Sequence, residues 1–252
     1  MIRTPIRRSR RPATLVALVS IAALALAACS SAASPGATTL PTMPPVTPTP
    51  VATAAPSTPA GSPGASVDLS KCPKAATDIT PLKAGETRTV TLDTTAGKIV
   101  TQVSGDLAPI AAGNFVALAE CGFYDGVVFH RVVPDFVIQA GDGQYGRVPI
   151  ANPDHMGVGG PGYQFNDEPV VGDYLRGTLA MANAGANPNG SQFFICLADL
   201  PTLPKSYTIF GKVTEGMDVV DKIAAAPQTP PDANGNTRPV DPVVINTATV
   251  SP

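Results

Sequence analysis

Tryptophan is absent from this chain, histidine occurs only twice and cysteine only four times. The two histidines, His130 and His155, have no cysteine or histidine cluster around them, so no metal site is expected. Long hydrophobic runs are also missing. The longest uncharged apolar stretch, Ala13 to Ala27, falls short of the about 20 residues that a membrane-spanning helix needs. Charge is scarce, at 14% of residues, and none of it lies between Ser30 and Val67, which also lacks Phe, Tyr and Trp. Basic residues are concentrated in one place. Arg3, Arg7, Arg8, Arg10 and Arg11 precede the first acidic residue, Asp68, and removing those five arginines takes the formal net charge from −2 to −7. A chain that acidic is poorly suited to a phosphate backbone, where affinity comes from lysine and arginine, so nucleic acid is excluded as a partner. No internal repeat is present.

What is there falls into three parts. Residues 1–28 read as an export signal: a basic n-region followed by a short apolar h-region. The stretch Leu26-Ala27-Ala28-Cys29 resembles the lipobox of bacterial lipoproteins, which implies that Cys29 becomes the lipidated first residue of the mature chain. An ordinary Ala-x-Ala cleavage site with an incidental cysteine is the alternative. Acyl chains contribute about 0.8 kcal/mol per buried methylene, and two or more give stable anchoring. The expected location is therefore the outer face of the bacterial cytoplasmic membrane. Residues 29–67 read as a linker. Its Pro, Thr, Ala and Ser cannot bury enough apolar surface to offset ordering entropy. In extended polyproline form its 38 residues from Ser30 would reach about 120 Å. A ligand for proline-binding modules is the weaker alternative. Residues 68–252 hold the folded domain, which is expected to act as a monomer.

In that domain Thr87–Leu92 and Lys98–Val103 alternate like strands around a turn at Gly97, a predicted hairpin. Ile110, Phe115 and Leu118 recur at helical spacing over 110–121, and Gly122 is placed to end that helix. Short β-rich runs follow at 127–133, 136–139, 177–181, 192–197, 208–213 and 243–249. Thr214 is the predicted cap of a second helix reaching Ile223, with Met217, Val220 and Ile223 on one face. Many short strands with two helices predict a mainly β fold, a closed antiparallel barrel.

The stretch Phe129-His130-Arg131-Val132-Val133-Pro134-Asp135-Phe136-Val137-Ile138-Gln139-Ala140-Gly141-Asp142 resembles the signature of the cyclophilins. So do Gly159-Gly160-Pro161-Gly162-Tyr163 with Asp167-Glu168, Met181 to Gly185, Asn189 to Ile195, and Phe210 to Met217. These motifs occur in the family's order from about Thr87 to Val250. The resemblance implies a closed eight-stranded antiparallel barrel capped by two α-helices, with a packed interior and an active site on its outer face. It implies peptidyl-prolyl cis-trans isomerase activity on Xaa-Pro segments of secreted or unfolded proteins, without a cofactor or metal. By resemblance Arg131, Gln139 and Phe136 are catalytic. Val137, Met181, Ala182, Asn183, Gln192, Phe194, Leu203 and Tyr207 are the substrate-binding positions. Within that set Gln139 and Gln192 would orient Arg131 and the substrate carbonyl, and the backbone at Ala182 and Asn183 would pair with an extended peptide.

Taken singly, Phe136, Phe194 and Leu203 read as plain core residues and Arg131 as a solvated surface arginine; only the shared motifs reverse this. Asp167 and Glu168 are not a glycosidase pair, because adjacent carboxylates on extended chain point apart. The chain departs from the family at Thr202, where many members carry tryptophan, at Tyr207, where many carry histidine, and at Val137, often methionine. Weakened cyclosporin sensitivity and an altered substrate preference are expected. The loop from Gln144 to Val158 looks longer than in compact members. Cys196 reads as a buried thiol, and Cys72 and Cys121 could form a disulfide, although spacing alone leaves connectivity open. A non-catalytic module that holds proline-containing segments is the main alternative function. A small-ligand barrel is a third, which the block from Met181 to Ile195 argues against.

Overall fold

The computed structural model describes residues 67–185, 189–232 and 235–252. The export signal, Cys29 and all of the linker except Val67 lie outside them. Eight strands and two α-helices follow in order: β1 Thr87–Thr94, β2 Gly97–Ser104, α1 Pro109–Glu120, β3 Arg131–Val133, β4 Val137–Ala140, β5 Thr178–Met181, β6 Phe193–Cys196, β7 Ile209–Glu215, α2 Met217–Ala225 and β8 Ile245–Ser251. They form one antiparallel sheet in the order β3-β4-β6-β5-β7-β2-β1-β8.

The expected barrel is not fully closed. β3 and β8 are the two edges, and no continuous ladder joins them. The seam is spanned by isolated bridges, Val128 to Val244 and Val132 to Thr237. The chain that returns along this seam carries Pro239 and Pro242, which have no N–H to donate to a ladder. The curved sheet still wraps an inner core. Phe115 of α1 reaches into it and meets Tyr124, Phe193 and Phe210 at centroid distances of 5.1, 5.1 and 5.2 Å.

Local structure follows the sequence reading in several places. The hairpin pairs Thr87 with Ser104 through Thr94 with Gly97. Gly122 sits at φ 75°, as a residue just past a helix end requires. Two expectations change. Phe115 and Leu118 of α1 are buried as expected, but Ile110 is 36% exposed and Ala111 and Ala112 are buried in its place. Thr214 does not cap α2. β7 runs on through Glu215, and Gly216, at φ 88°, makes the turn into the helix. A side chain at Gly216 would run into the Lys98 carbonyl. Helix α1 has no side-chain cap from its own N-cap residue. Its free amides at Ile110 and Ala111 donate to the two carboxylate oxygens of Glu168, at 2.9 and 2.7 Å. Asp167, next in the chain, accepts from the side-chain amides of Asn183 and Asn189 at 3.2 and 2.9 Å. The two carboxylates thus point to separate structural partners.

Candidate functional site

Side chains alternate across a strand, so each strand here faces two ways. On β4, Ile138 and Ala140 enter the inner core while Val137 faces outward; on β6, Phe193 and Ile195 go in and Phe194 and Cys196 out. On β5, Leu179 and Met181 go in and Ala180 goes out. The outward residues form a second apolar cluster with Tyr174 and Ile209, flanked by Phe136, Ala182, Leu203 and Tyr207. This cluster floors a slot of about 250 Å³ lined by Arg131, Phe136, Val137, Gln139, Ala182, Asn183, Phe194, Leu203, Tyr207 and Asn236.

The sheet register brings these groups together. Arg131 pairs with Gln139, Gln139 with Phe194, and Phe194 with Ala180. The β3–β4 turn has Pro134 and Asp135 at its centre, with Phe136 N donating to Val133 O at 3.1 Å. Asp135 adopts φ 59°, a conformation that a short Asp side chain tolerates. That turn sets Phe136 beside Arg131. On the opposite wall Tyr207 meets Phe194 edge-on at 5.6 Å and 83°. Tyr207 is itself held by Tyr174, whose hydroxyl donates to its carbonyl at 2.9 Å and accepts from its N–H at 3.0 Å.

A chain of polar side chains runs along the slot. Arg131 Nη1 donates to Gln139 Oε1 at 3.0 Å, and Gln139 Nε2 donates to Gln192 Oε1 at 2.8 Å. Gln192 Nε2 donates in turn to the Gly157 and Gly159 carbonyls, at 3.0 and 2.7 Å. The long loop after β4 is held by the buried Asp142, whose carboxylate accepts from the amides of Gln144, Tyr145, Gly157 and Gly159. Partial burial pulls the Arg131 guanidinium below the ordinary arginine value, while Tyr207 and Asp232 act in the opposite direction. It remains a cation at any physiological pH.

Nine of the eleven sequence-predicted slot residues therefore converge on one feature. Met181 and Gln192 do not line it. Met181 is 1% exposed and packs in the inner core, as β5 alternation demands. Gln192 lines an adjoining hollow of about 560 Å³ that shares Gln139, Ala182 and Asn183 with the slot. Its Nε2 donates to the loop carbonyls and its Oε1 accepts from Gln139, so it is linked to Arg131 through Gln139. The Ala182 N–H is likewise spent on Gln192 O, at 3.0 Å, so pairing with a peptide there would use the Ala182 carbonyl or the Asn183 backbone. Sequence reasoning missed Asn236 and Tyr174. Asn236 lies 105 residues from the arginine it touches, outside every recognised motif. Among the described residues no three His, Cys, Asp or Glu side chains cluster as a metal site would require.

His130, which precedes Arg131 and packs beside Gly157, is only 3% exposed. Burial pushes its pKa from 6.5 down to about 4, with Asp142 pulling upward and Arg131 and Arg238 adding to the depression. Below pH 6.5 the unfolded chain takes up a proton that the folded ring refuses until about pH 4. Stability conferred by the neutral ring is thus complete above pH 6.5 and falls as the pH drops through this window, by about 3 kcal/mol in all. Urea unfolding at pH 7 and pH 4 checks this: His130→Leu is expected to flatten the decline, and parallel declines in the two proteins would contradict it.

The outer face of the open β-barrel thus carries a cationic, aromatic-walled slot. The chain belongs to the cyclophilin type peptidyl-prolyl cis-trans isomerase family, whose model matches residues 89–250. It is 42% identical over 184 residues to the peptidyl-prolyl cis-trans isomerase A of Mycobacterium tuberculosis, covering 66% of this chain and 93% of that protein. It is 42% identical over 162 residues to a peptidyl-prolyl cis-trans isomerase of Schizosaccharomyces pombe, covering 62% and 94%. A cyclophilin type isomerase of Cryptosporidium parvum, solved in the presence of the dipeptide Ala-Pro, superposes with a TM-score of 0.54 at 32% identity, covering 65% and 99%.

Proposed function

We propose that this protein accelerates cis-trans rotation about Xaa-Pro bonds in extracytoplasmic proteins, with Arg131 stabilising the twisted imide and Phe136, Phe194 and Leu203 holding the proline ring. The observation that carries this reading is the guanidinium at the rim of an outward apolar slot, fixed there by Gln139.

The chemistry asks little of a protein. Amide conjugation imposes a barrier of about 18–20 kcal/mol, and no covalent bond has to break. The catalyst must favour the state in which the imide nitrogen has lost conjugation and regained its lone pair. A guanidinium donating to that nitrogen, or holding the substrate carbonyl, interacts more strongly with the twisted state than with either planar isomer. Phe136, Phe194 and Leu203 offer the ring an apolar seat, and the adjoining hollow leaves room for the rest of the chain.

Export supports the extracytoplasmic setting. The basic n-region, the apolar run and Leu26-Ala27-Ala28-Cys29 fit a lipoprotein signal, and residues 29–67 fit a spacer from the membrane. A Cys72–Cys121 disulfide is also what an oxidising compartment favours. A protease-coupled assay on Ala-Pro peptides separates an enzyme from a module that only holds proline segments. Turnover most of which Arg131→Ala removes supports the enzyme; binding without turnover in the wild-type protein supports the module.

Thr202 is exposed and precedes the slot-lining Leu203, at a position where the family resemblance implies that tryptophan is common. An indole anchor at an interface contributes about 2 kcal/mol, or about thirtyfold in affinity. Cyclosporin is accordingly expected to inhibit the wild-type protein weakly and Thr202→Trp about thirtyfold more tightly. Equal inhibition constants for the two would contradict this.

A further inference from the structure

The Arg131 guanidinium is gripped from two sides. Nη1 donates to Gln139, and on the other side Nε donates to Oδ1 of Asn236 at 2.6 Å. Asn236 is itself tightly placed. Its N–H and its Nδ2 donate to the two carboxylate oxygens of Asp232, at 2.9 and 3.0 Å, and its carbonyl accepts from Asp232 N at 2.9 Å. The next residue, Thr237, exchanges two backbone bonds with Val132 of β3, at 3.0 and 3.1 Å, and its hydroxyl donates to Val132 O at 2.7 Å. The Asn236 side chain therefore approaches Arg131 from a segment stitched to Arg131's own strand.

A guanidinium carries its five N–H groups in one rigid plane. Bonds at Nε and Nη1 fix the rotation of that plane. Among the described residues, Nη2 then has no protein hydrogen bond, while the group as a whole lines the slot. The relay is also chemically selective. A carboxylate placed directly on Nε would fix the plane but cancel much of the positive field. An amide oxygen fixes it and leaves the cation intact, while the carboxylate of Asp232 sits one residue further out and orients the amide.

We propose that Asn236, oriented by Asp232, is a positioning residue for isomerisation, locking the Arg131 guanidinium in the rotation that presents Nη2 to the substrate. This rests on the reading of Arg131 as the group that acts on the substrate. It adds a determinant that the recognised motifs do not contain.

The test uses the full-length protein and its Ala-Pro peptide turnover. Asn236→Ala is expected to lower kcat about tenfold with KM nearly unchanged, since misplacing a reacting group affects the transition state more than binding. Asp232→Asn is expected to lower kcat by a smaller factor, about threefold. Added to Arg131→Ala, the Asn236→Ala change should alter the residual rate by less than about twofold, because its effect runs through a side chain already removed. The Arg131 Nε–H resonance, sharp in the wild-type protein, should broaden in Asn236→Ala. Equal losses in the wild-type and Arg131→Ala backgrounds, or a lowered melting temperature with unchanged kcat, would overturn the proposal. So would wild-type kcat in Asn236→Ala when Arg131→Ala is inactive, and that result leaves the role of Arg131 standing. Full turnover in Arg131→Ala itself would instead sink the reading on which both depend.

Discussion

Arg131→Ala is expected to lower kcat/KM for Xaa-Pro peptides by about 10² to 10³, the usual loss when one donor aimed at developing charge is removed. The fold should survive, because the side chain stands on the outer face of β3 and the inner core does not use it. Circular dichroism and the melting curve of the variant should overlay those of the wild type. Arg131→Lys is the sharper companion. It keeps the positive charge and loses the planar fork that Gln139 and Asn236 hold. An intermediate loss of about tenfold is expected, because a mobile ammonium cannot be fixed by the same two acceptors. A lysine variant with full activity would mean that charge alone suffices and that the geometry around the guanidinium is incidental.

The second large effect concerns stability. Cys72 and Cys121 are joined by a disulfide that closes a loop spanning 49 residues of sequence and ties the segment before β1 to the end of α1. Chain-entropy arguments give such a loop about 4 kcal/mol of stabilisation, acting on the unfolded ensemble. For a domain of this size that is about 10 °C in melting temperature. The double variant Cys72→Ser/Cys121→Ser should show this drop, and so should the wild type in strong reductant. Turnover at 25 °C should hardly change, since neither cysteine touches the slot. Among the described residues the one other thiol is a poor substitute partner: Cys196 is fully buried on β6, and burial pushes its pKa up to about 12. Identical melting curves with and without reductant would show that closing the loop contributes nothing.

How much of this was legible beforehand depended on whether a feature was local. The β1–β2 hairpin was readable because alternation and Gly97 both act within a few residues. The slot residues on β3, β4 and β6 were readable because they share contiguous motifs and because a period of two sends Phe194 out when Phe193 goes in. The same rule, applied to β5, would have placed Met181 inside. Thr214 looked like a cap because Ser and Thr usually are; the strand instead continued through Glu215 and left the turn to Gly216. Glu168 capping α1 and Asn236 holding Arg131 span 58 and 105 residues. Nothing in local propensity points across such distances. The seam between β3 and β8 was hidden for a related reason. Strand count suggests closure, whereas the two prolines of the returning segment, Pro239 and Pro242, remove donors that a last ladder would need.

The central claim is that the slot beside Arg131 turns proline bonds over rather than merely holding them. Two-dimensional exchange NMR on an Ala-Pro peptide, with wild-type protein at a small fraction of the peptide concentration, tests this without a coupling protease. Uncatalysed isomerisation takes tens to hundreds of seconds at 25 °C, so the free peptide gives no exchange peaks at mixing times of about one second. With the protein present, strong cis-to-trans cross-peaks are expected, and they should vanish in Arg131→Ala. Peptide shifts that report binding at the slot, with cross-peaks still absent, would contradict the account.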